Sequence, residues 1–513
     1  MEDYSKVFAQ EYAQIPISDK TVTTELSGDF ILPDYQPEIK RLLKISASVL
    51  PPSKYIGDSQ AEFAGNIDYY VYYTGSDNEV YCAPLTGEYK IDVPIERGSE
   101  WSLSNMTGNA EVQTDMISGR VTSPRKLNVK CRLKTQVRLF GDIPTSRDFE
   151  GNEGDNEVLR GMTNSTRMLF TAGEMLRLSD EMIIDSRDGE VRVICADGRA
   201  LISEVSCNEG AVNCRGDVYL KIMMMREGGD QPYTTQRKLP FSQTLQVDGA
   251  QGRCQATARA TVCELSLDVE DNRILIDVGM LIDATVNKSE RVNYIKDVYS
   301  TVYKTDCQYR AIRLPWSSAV LNANFTLSDS VSLADTSISP EGSVLDCSGI
   351  ATVESVTYDD NGRMTVTGKA RFTLLLDKDN EYSSADVELP FKYSVDTAIK
   401  NGERTMSTVT PCVISSRARI DGERIGIDAE IGLAGNVLEM KDINVLDGVS
   451  FGDKIERSRG EYVICYPTKD DSLWSVAKRY GAPVSSLSQI NHISEEHPYD
   501  STDSLEGINY LVV

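Results

Sequence analysis

The chain has 513 residues, of which 40% are hydrophobic, so it is long enough for several domains with their own cores. It carries 53 Lys and Arg against 78 Asp and Glu, which gives a formal net charge of −25. This acidity argues against binding to nucleic acid or to anionic lipid, because both would be repelled.

The N-terminus and the cysteines indicate a cytoplasmic location. The first residues, from Met1 to Lys6, lack the cationic start and the apolar run of a secretory signal. No stretch approaches the roughly 20 apolar residues that cross a membrane as a helix. The 11 cysteines are scattered without a Cys-x-x-Cys pair, which predicts reduced thiols, since disulfides are rare in the cytosol.

The N-terminal region is predicted to contain two short helices. One is expected around residues 7–12. The second is predicted over residues 37–44, because proline suits the first helical position and Ile39, Leu42 and Leu43 then lie on one face. Most of the remaining chain alternates apolar and polar residues between Gly, Asn and Asp turns, which is typical of β-strands.

A β-rich unit of about 150 residues recurs three times in the sequence. Its clearest mark is a glycine that opens a strand, followed by a turn and a second strand with a hydrophobic-Pro-hydrophobic ending. The glycines, spaced by 151 and 152 residues, and the prolines are Gly65, Gly216 and Gly368, and Pro94, Pro240 and Pro390. A proline in that position predicts the end of a strand or the edge of a sheet.

The repeats divide the chain into three β-rich domains and a C-terminal module. The predicted domains are 1–151, with the N-terminal arm and the first repeat, then 152–302 and 303–455. Residues 456–460 form a polar linker to the module at 461–513. The predicted fold class is therefore mainly β. The sequence leaves open whether each repeat folds alone or shares strands with its neighbours.

Residues 461–513 are predicted to fold as strand, helix, helix and strand. The inward faces of the two helices are expected to carry Leu473, Val476, Ala477 and Tyr480, and then Val484, Leu487 and Ile490. Asp471 or Ser472 is suited to cap the first helix, and Gly481 can take the left-handed position that ends it. Pro483 then begins the second helix.

This stretch resembles the LysM module, with Asp470 to Trp474, Val476-Ala477 and a final Asn in register with the family's phrase. LysM modules commonly bind N-acetylglucosamine chains in a shallow groove between the first strand–helix loop and the loop before the last strand. The resemblance therefore implies glycan-binding positions at Asp471, Ser472, Leu473 and Asn491. Pro467 in the first strand and an acidic insert at 494–500 alter the groove on both sides.

The whole chain is similar to the SPOCS-domain proteins of spore-forming clostridia, which also carry tandem β repeats and a C-terminal LysM module. This resemblance implies a non-enzymatic role in spore coat assembly. It places the protein in the cytoplasm of the mother cell, at the forespore and spore coat surface. It also implies a partner, the coat-basement ATPase SpoIVA, which the family binds through the LysM module.

The sequence contains no catalytic constellation that we would assign. Its two histidines, His492 and His497, lie in an acidic loop region without further metal ligands. Neither a phosphate-binding Gly-x-x-x-x-Gly-Lys-Ser/Thr loop nor a Gly-x-Ser-x-Gly elbow occurs. We therefore expect a protein that is not an enzyme and that needs no cofactor or metal.

Trp474 is the main candidate for contact with a partner protein. It lies about 100° round the helix from Leu473, so its ring is expected to be half covered, and such aromatic residues often anchor interfaces. The alternative is that the ring packs on the second helix. Val463 and Ile464 alternate on the first strand, so that one faces outward beside Trp474, and Lys478 completes the predicted protein-binding set.

Three functions remain to be weighed at this stage. The leading hypothesis is an assembly factor whose LysM module grips a coat protein. The runner-up is a LysM protein that binds peptidoglycan or N-acetylglucosamine chains in the spore cortex or cell wall. A hydrolase targeted by its LysM module would need a catalytic pair within residues 1–455, and none is visible.

Overall fold

The fold is mainly β, as the sequence predicts. The computed structural model describes residues 11–95, 104–145, 155–184, 190–226, 231–270, 272–336, 338–397, 399, 404–455, 463–493 and 497–513. Within these residues the chain forms three β units and a C-terminal module with two short helices.

The first unit consists of two antiparallel sheets. Its strands are β1 (Tyr12–Ile31), β2 (Arg41–Val49), β3 (Ser53–Ile56), β4 (Gln60–Thr74), β5 (Val80–Pro94), β6 (Ser104–Ser123) and β7 (Lys126–Pro144). In one sheet β4 pairs with β2 and β3 on one side and with β5 on the other. In the other sheet β7 lies between β1 and β6.

The second unit repeats this arrangement. Its strands are β8 (Asn156–Phe170), β9 (Glu174–Ile183), β10 (Val191–Asn208), β11 (Ala211–Arg226), β12 (Tyr233–Gln246), β13 (Gln255–Glu270) and β14 (Arg273–Ser300). One sheet has the order β10-β11-β12. In the other, β14 pairs with β13 on one side and with both β8 and β9 on the other, so two strands take the place of β1.

The third unit has the same two sheets. Its strands are β15 (Tyr303–Ser332), β16 (Ser343–Tyr358), β17 (Arg363–Lys378), β18 (Glu381–Asp396), β19 (Thr405–Asp421) and β20 (Arg424–Lys454). Their orders are β16-β17-β18 and β15-β20-β19. Among the described strands, each sheet of the three units takes all its members from one unit, so the units do not share strands.

Each unit has its own hydrophobic core between its two sheets. The core forms because successive side chains of a strand point to opposite faces of the sheet. In β17 every second side chain is buried, while the intervening threonines and basic residues face outward. Representative buried side chains of the three cores are Phe63 and Leu133, Leu220 and Ile276, and Phe372 and Ile431.

The repeated glycine has a structural reason in the pairing of two strands. Gly216 on β11 lies directly opposite Phe241 on β12, and Gly368 on β17 lies opposite Phe391 on β18. In both pairs the aromatic ring lies over the glycine, where a Cβ atom would overlap it. An aromatic side chain thus covers the position that lacks one.

The first repeat is aligned differently from the sequence prediction. The residue opposite Gly65 is Tyr89, and Pro94 lies five residues further along β5. Pro94 is the last residue of its strand, as predicted, but Pro240 and Pro390 lie inside β12 and β18. These two prolines do not end their strands, but they lie on the edge strands β12 and β18, which is the other position that the sequence predicts for them.

The helix predicted over residues 37–44 is wrong. Residues from Arg41 onward form β2, which pairs with the buried strand β4. The Lys40 N–H already donates to the carbonyl of Thr74 at 2.9 Å. Pairing with a distant strand therefore overrides a short helical pattern. The other predicted helix, at 7–12, lies outside the described residues except for its last two.

A polar junction joins the three units at equivalent positions. Lys44, Cys195 and Asp346 each follow a register shift in the first strand of a meander sheet, and they are 151 residues apart in sequence. The Lys44 ammonium donates to Asp346 at 2.6 Å, and the side chains are only 3% and 6% exposed. Lys221 of the second unit binds the other oxygen of the same carboxylate.

The electrostatics of this junction favour the ion pair. Burial by itself would raise the pKa of Asp346, but Lys44 and Lys221 outweigh it and lower that pKa to about 2. Burial likewise opposes the charge on Lys44, yet Asp346 raises the pKa of that lysine. Both groups are therefore charged at neutral pH, and the first and third units are held by a buried salt bridge.

The three units also surround a cavity of about 470 Å³. Arg259 on β13 spans part of its wall, where it donates to Glu111 of the first unit at 2.7 Å and to Asp283 at 3.1 Å. Burial by itself would lower the pKa of Arg259, but the two carboxylates outweigh it and raise that pKa. Asn436, which also lines this cavity, pairs with Asn287 and links the third unit to the second.

The C-terminal module packs around two helices and a two-stranded sheet. Its elements are β21 (Ile464–Cys465), α1 (Leu473–Tyr480), α2 (Val484–Ile490) and β22 (Leu511–Val512). The antiparallel pair β21–β22 closes the module. The order strand, helix, helix, strand agrees with the prediction, except that Tyr480 and Ile490 are 37% and 54% exposed and do not face inward.

Candidate functional site

The first helix of the module is fixed by local capping. Ser472 accepts from the N–H of Ser475, whose hydroxyl in turn accepts from the N–H of Ser472, so two free donors of the first turn are satisfied. Gly481 takes the left-handed conformation, with φ 62°, at the C-terminal end. These contacts confirm the predicted start and end of the helix.

Asp471 is held by groups of its own module. Its carboxylate accepts from the N–H and the hydroxyl of Thr468, at 2.9 and 3.0 Å, and forms an ion pair with Arg479. The Thr468 N–H contributes most to lowering the pKa of Asp471, and with the Arg479 pair that pKa falls to about 2. Asp471 is therefore ionised, and it links the loop before α1 to the helix itself.

The other positions of the predicted glycan set also have internal partners. Leu473 is fully buried, and Ser472 serves as the helix cap. The Asn491 amide donates to the carbonyl of Val512 at 2.8 Å and accepts from its N–H at 2.7 Å, so it acts as a rung between α2 and the last strand. All four predicted positions, Asp471 included, stabilise the module itself.

Trp474 lies against the second unit of the chain. Its side chain is 6% exposed, and its ring meets the ring of Tyr299 edge to face, with centroids 4.9 Å apart. The indole N–H donates to Asp297 at 2.8 Å. The ring is therefore buried rather than half covered, and the aromatic ring on which it packs belongs to Tyr299 on β14 of the second unit.

Asp297 is the charged centre of this contact. Lys478 donates to both of its oxygens, at 2.6 and 2.8 Å, and the Tyr309 hydroxyl donates at 2.5 Å. Burial by itself would raise the pKa of Asp297, but the hydrogen bonds from Lys478, Trp474 and Tyr309 hold it below its ordinary value. The carboxylate is therefore ionised and binds two groups of α1.

Three further contacts surround this centre. The Tyr299 hydroxyl donates to the carbonyl of Ala482 at 2.7 Å, between the two helices of the module. Lys296 forms an ion pair with Asp500 at 2.6 Å. Glu157 on β8 accepts from the N–H at the start of α2; burial, the larger effect, leaves its pKa raised. We call Glu157, Lys296, Asp297 and Tyr299 of the second unit, together with Tyr309 on β15 of the third unit, the docking site.

A different face of the module is open to solvent. Val463 and Ile464 on and beside β21 are 42% and 56% exposed, while Cys465 between the sheet and the helices is buried. Tyr466 and Tyr510 are 73% and 56% exposed on the same two chain segments. We call these four exposed residues, Val463, Ile464, Tyr466 and Tyr510, the apolar strand face, although Val463 lies just before β21 and alternates with Ile464, so its side chain leaves the strand on the side of Cys465. It contains two of the four residues predicted to bind a protein.

The structure thus divides the predicted protein-binding set. Val463 and Ile464 lie on the apolar strand face, whereas Trp474 and Lys478 contact the docking site. The sequence indicated that Trp474 needs a partner surface, from its position beside the buried helix face. It gave no signal for Asp297 or Tyr299, because they lie at the end of a long β-strand, 175 or more residues earlier in the chain.

The described residues show no metal centre, since no group of three or more potential His, Cys, Asp or Glu ligands comes together among them. His492 and His497 are both exposed. All eleven cysteines lie in the described part of the chain as free thiols. Neither α1 nor α2 is long and apolar enough to cross a membrane, nor is any other helix in the described ranges.

Comparison with known proteins identifies the module but not the rest of the chain. The LysM domain family model matches residues 468–499, which include both helices. No curated protein and no solved structure matches the chain. The match indicates a binding role for the C-terminal module, of a kind that is often directed at peptidoglycan or other carbohydrate.

Proposed function

We propose that this protein is a non-enzymatic assembly factor of the bacterial spore coat. In this proposal the three β units form a scaffold, and the LysM module binds a coat protein. The resemblance to SPOCS-domain proteins, and in particular to the spore coat morphogenesis protein SipL, suggests an ATPase like SpoIVA as the partner. The protein would act in the cytoplasm of the mother cell, at the forespore surface.

The apolar strand face carries this proposal. Protein interfaces are enriched in aromatic and aliphatic anchors, whereas a sugar site needs polar groups that are free to bind hydroxyls. Ile464, Tyr466 and Tyr510 are more than half exposed. By contrast, Asp471, Ser472 and Asn491 are bound within the module. The module therefore offers exposed apolar area for contact with a polypeptide. The polar groups that would bind a sugar are already bonded within the module.

The test is a binding titration of the full chain with a purified SpoIVA-like ATPase. Ile464→Asp places a charge at the centre of the apolar strand face, and we expect a loss of affinity of about thirtyfold or more. Ile183→Asp is the matched control, because Ile183 is an isoleucine on β9 that is 75% exposed and far from the module in sequence. Equal binding by both variants and the unaltered chain would refute the proposed surface.

Trp474→Glu is a less specific test of partner binding. The ring is buried against Tyr299, so a glutamate there disturbs the contact with the second unit as well. Its effect has to be compared with that of Ile464→Asp.

The glycan alternative has one observation in its favour. Tyr466 and Tyr510 are exposed aromatic rings, which also stack well on sugar faces. Titration of the full chain with chitin oligosaccharides separates the two functions. Measurable affinity for the oligosaccharide that Tyr466→Ala removes, together with no binding to the ATPase, would favour the carbohydrate.

A further inference from the structure

The LysM module has two potential binding faces, and only one of them is open. The apolar strand face is exposed to solvent, whereas the face of α1 with Trp474 and Lys478 is covered by the docking site. The hydrophobic cluster of the module continues into the second unit through Tyr299 and Leu159. This covered face is a built interface, with apolar contact and ionic contact side by side.

The chemistry of the covered face is specific. Asp297 and Tyr299 lie two residues apart on β14, so their side chains leave the strand on the same side. The Asp297 carboxylate accepts hydrogen bonds from the indole N–H of Trp474 and from the Lys478 ammonium. The ring of Tyr299 packs edge to face with the ring of Trp474. The face of α1 therefore recognises a carboxylate with an aromatic ring two residues away on an extended strand.

The short connection between the third unit and the module keeps the module close to this site. The Ile455 N–H donates to the carbonyl of Val302 at 2.7 Å, next to the end of β14. Val463 follows only eight residues later, a span of less than about 30 Å even when fully extended. A tether of this length gives an effective concentration in the millimolar range, so even a modest contact is mostly occupied.

We propose that the second unit acts as an internal ligand of the LysM module, which masks Trp474 and Lys478 until a partner displaces it. The displacing partner presents the same chemistry, an acidic side chain beside an aromatic ring on an extended strand. The role of the partner rests on the proposed function, but the docking itself does not. A partner that uses the α1 face binds with an affinity reduced by the fraction of undocked module.

The docking is tested first without any partner. Trp101 and Trp316 are replaced by Phe in the full chain, which leaves Trp474 as the single tryptophan. In this background Asp297→Ala removes the acceptor of both the indole and Lys478. We expect the tryptophan emission to shift to longer wavelength and the acrylamide quenching constant to rise at least threefold.

Two further variants keep this test decisive. Lys478→Met changes only the module side of the contact and is expected to act in the same direction. Asp442→Ala is the matched control, since Asp442 also forms an ion pair, with Arg313 at 2.8 Å, but lies on the third unit. Circular dichroism is used to verify that every variant keeps its β signal. Quenching that is unchanged in both Asp297→Ala and Lys478→Met would overturn the docking.

The masking is tested with the SpoIVA-like ATPase, which in this proposal contacts the α1 face in addition to the apolar strand face. We expect Asp297→Ala to bind it roughly tenfold or more tightly, since the loss of hydrogen bonds to a charged group favours the undocked module by about that factor. A rise in quenching without a gain in affinity would overturn the masking. If no variant binds the ATPase, the proposed function fails, while the quenching still decides whether the module docks on the second unit.

Discussion

Replacement of Asp346 by Asn removes the negative charge that holds the junction of the three units. Lys44 is then left buried, with a side chain that is 3% exposed, and without the carboxylate that it binds. The shift in the pKa of Asp346, from 3.8 to about 2, corresponds to about 2 kcal/mol of folding free energy. The loss of one partner from a buried pair typically costs about 3–5 kcal/mol. We expect a loss of about 3 kcal/mol.

The assay is urea unfolding of the full chain at pH 7, followed by circular dichroism, with thermal unfolding as a second measure. Glu354→Gln is the matched control, because its ion pair with Lys369 is about half exposed and is therefore expected to contribute little to stability. A loss below about 1 kcal/mol for Asp346→Asn would refute the reasoning. The triple change Lys44→Met, Lys221→Met and Asp346→Leu should recover most of the stability, since apolar side chains replace all three ions.

The pH dependence of this variant has a definite sign. Because the pKa of Asp346 is lowered in the folded protein, its stabilisation is complete above the ordinary value of 3.8. It is lost as the pH falls from about 4 towards 2. The stability difference between the unaltered chain and Asp346→Asn should therefore shrink over this interval, and a constant difference would contradict the assignment.

Two other substitutions test the repeat and the module. In Gly368→Ala the new Cβ atom would overlap the ring of Phe391 and the carbonyl of Thr352, so we expect a loss of about 1–3 kcal/mol by urea unfolding; an unchanged midpoint would show that the glycine is not needed for packing. Ser472→Ala removes the cap of α1 and should cost about 1 kcal/mol. Amide hydrogen exchange within α1 measures this loss, and unaltered protection of the Ser475 amide would contradict it.

Much of the C-terminal module could be predicted from the sequence, because its signals are local. The cap at Ser472, the left-handed Gly481 and the helical spacing of Leu473, Val476 and Ala477 act within a few residues. Their energies do not depend on where the rest of the chain lies. The same holds for the repeat, which is detectable because Gly216 and Gly368 each need an aromatic residue on the next strand.

The prediction over residues 37–44 shows where local signals fail. The spacing of Ile39, Leu42 and Leu43 suits a helix, but the same residues can alternate along a strand that pairs with β4. The pairing is decided by a strand that begins at Gln60, so it depends on contacts that a short window does not contain.

The sequence by itself determined the β class, the threefold repetition and the internal architecture of the LysM module. The tertiary structure decided which surfaces meet. The salt bridge between Lys44 and Asp346 joins residues 302 positions apart, and Asp297 meets Trp474 across 177 positions. Such contacts arise from the packing of whole units. No local sequence pattern around either residue of such a pair predicts which distant residue it contacts.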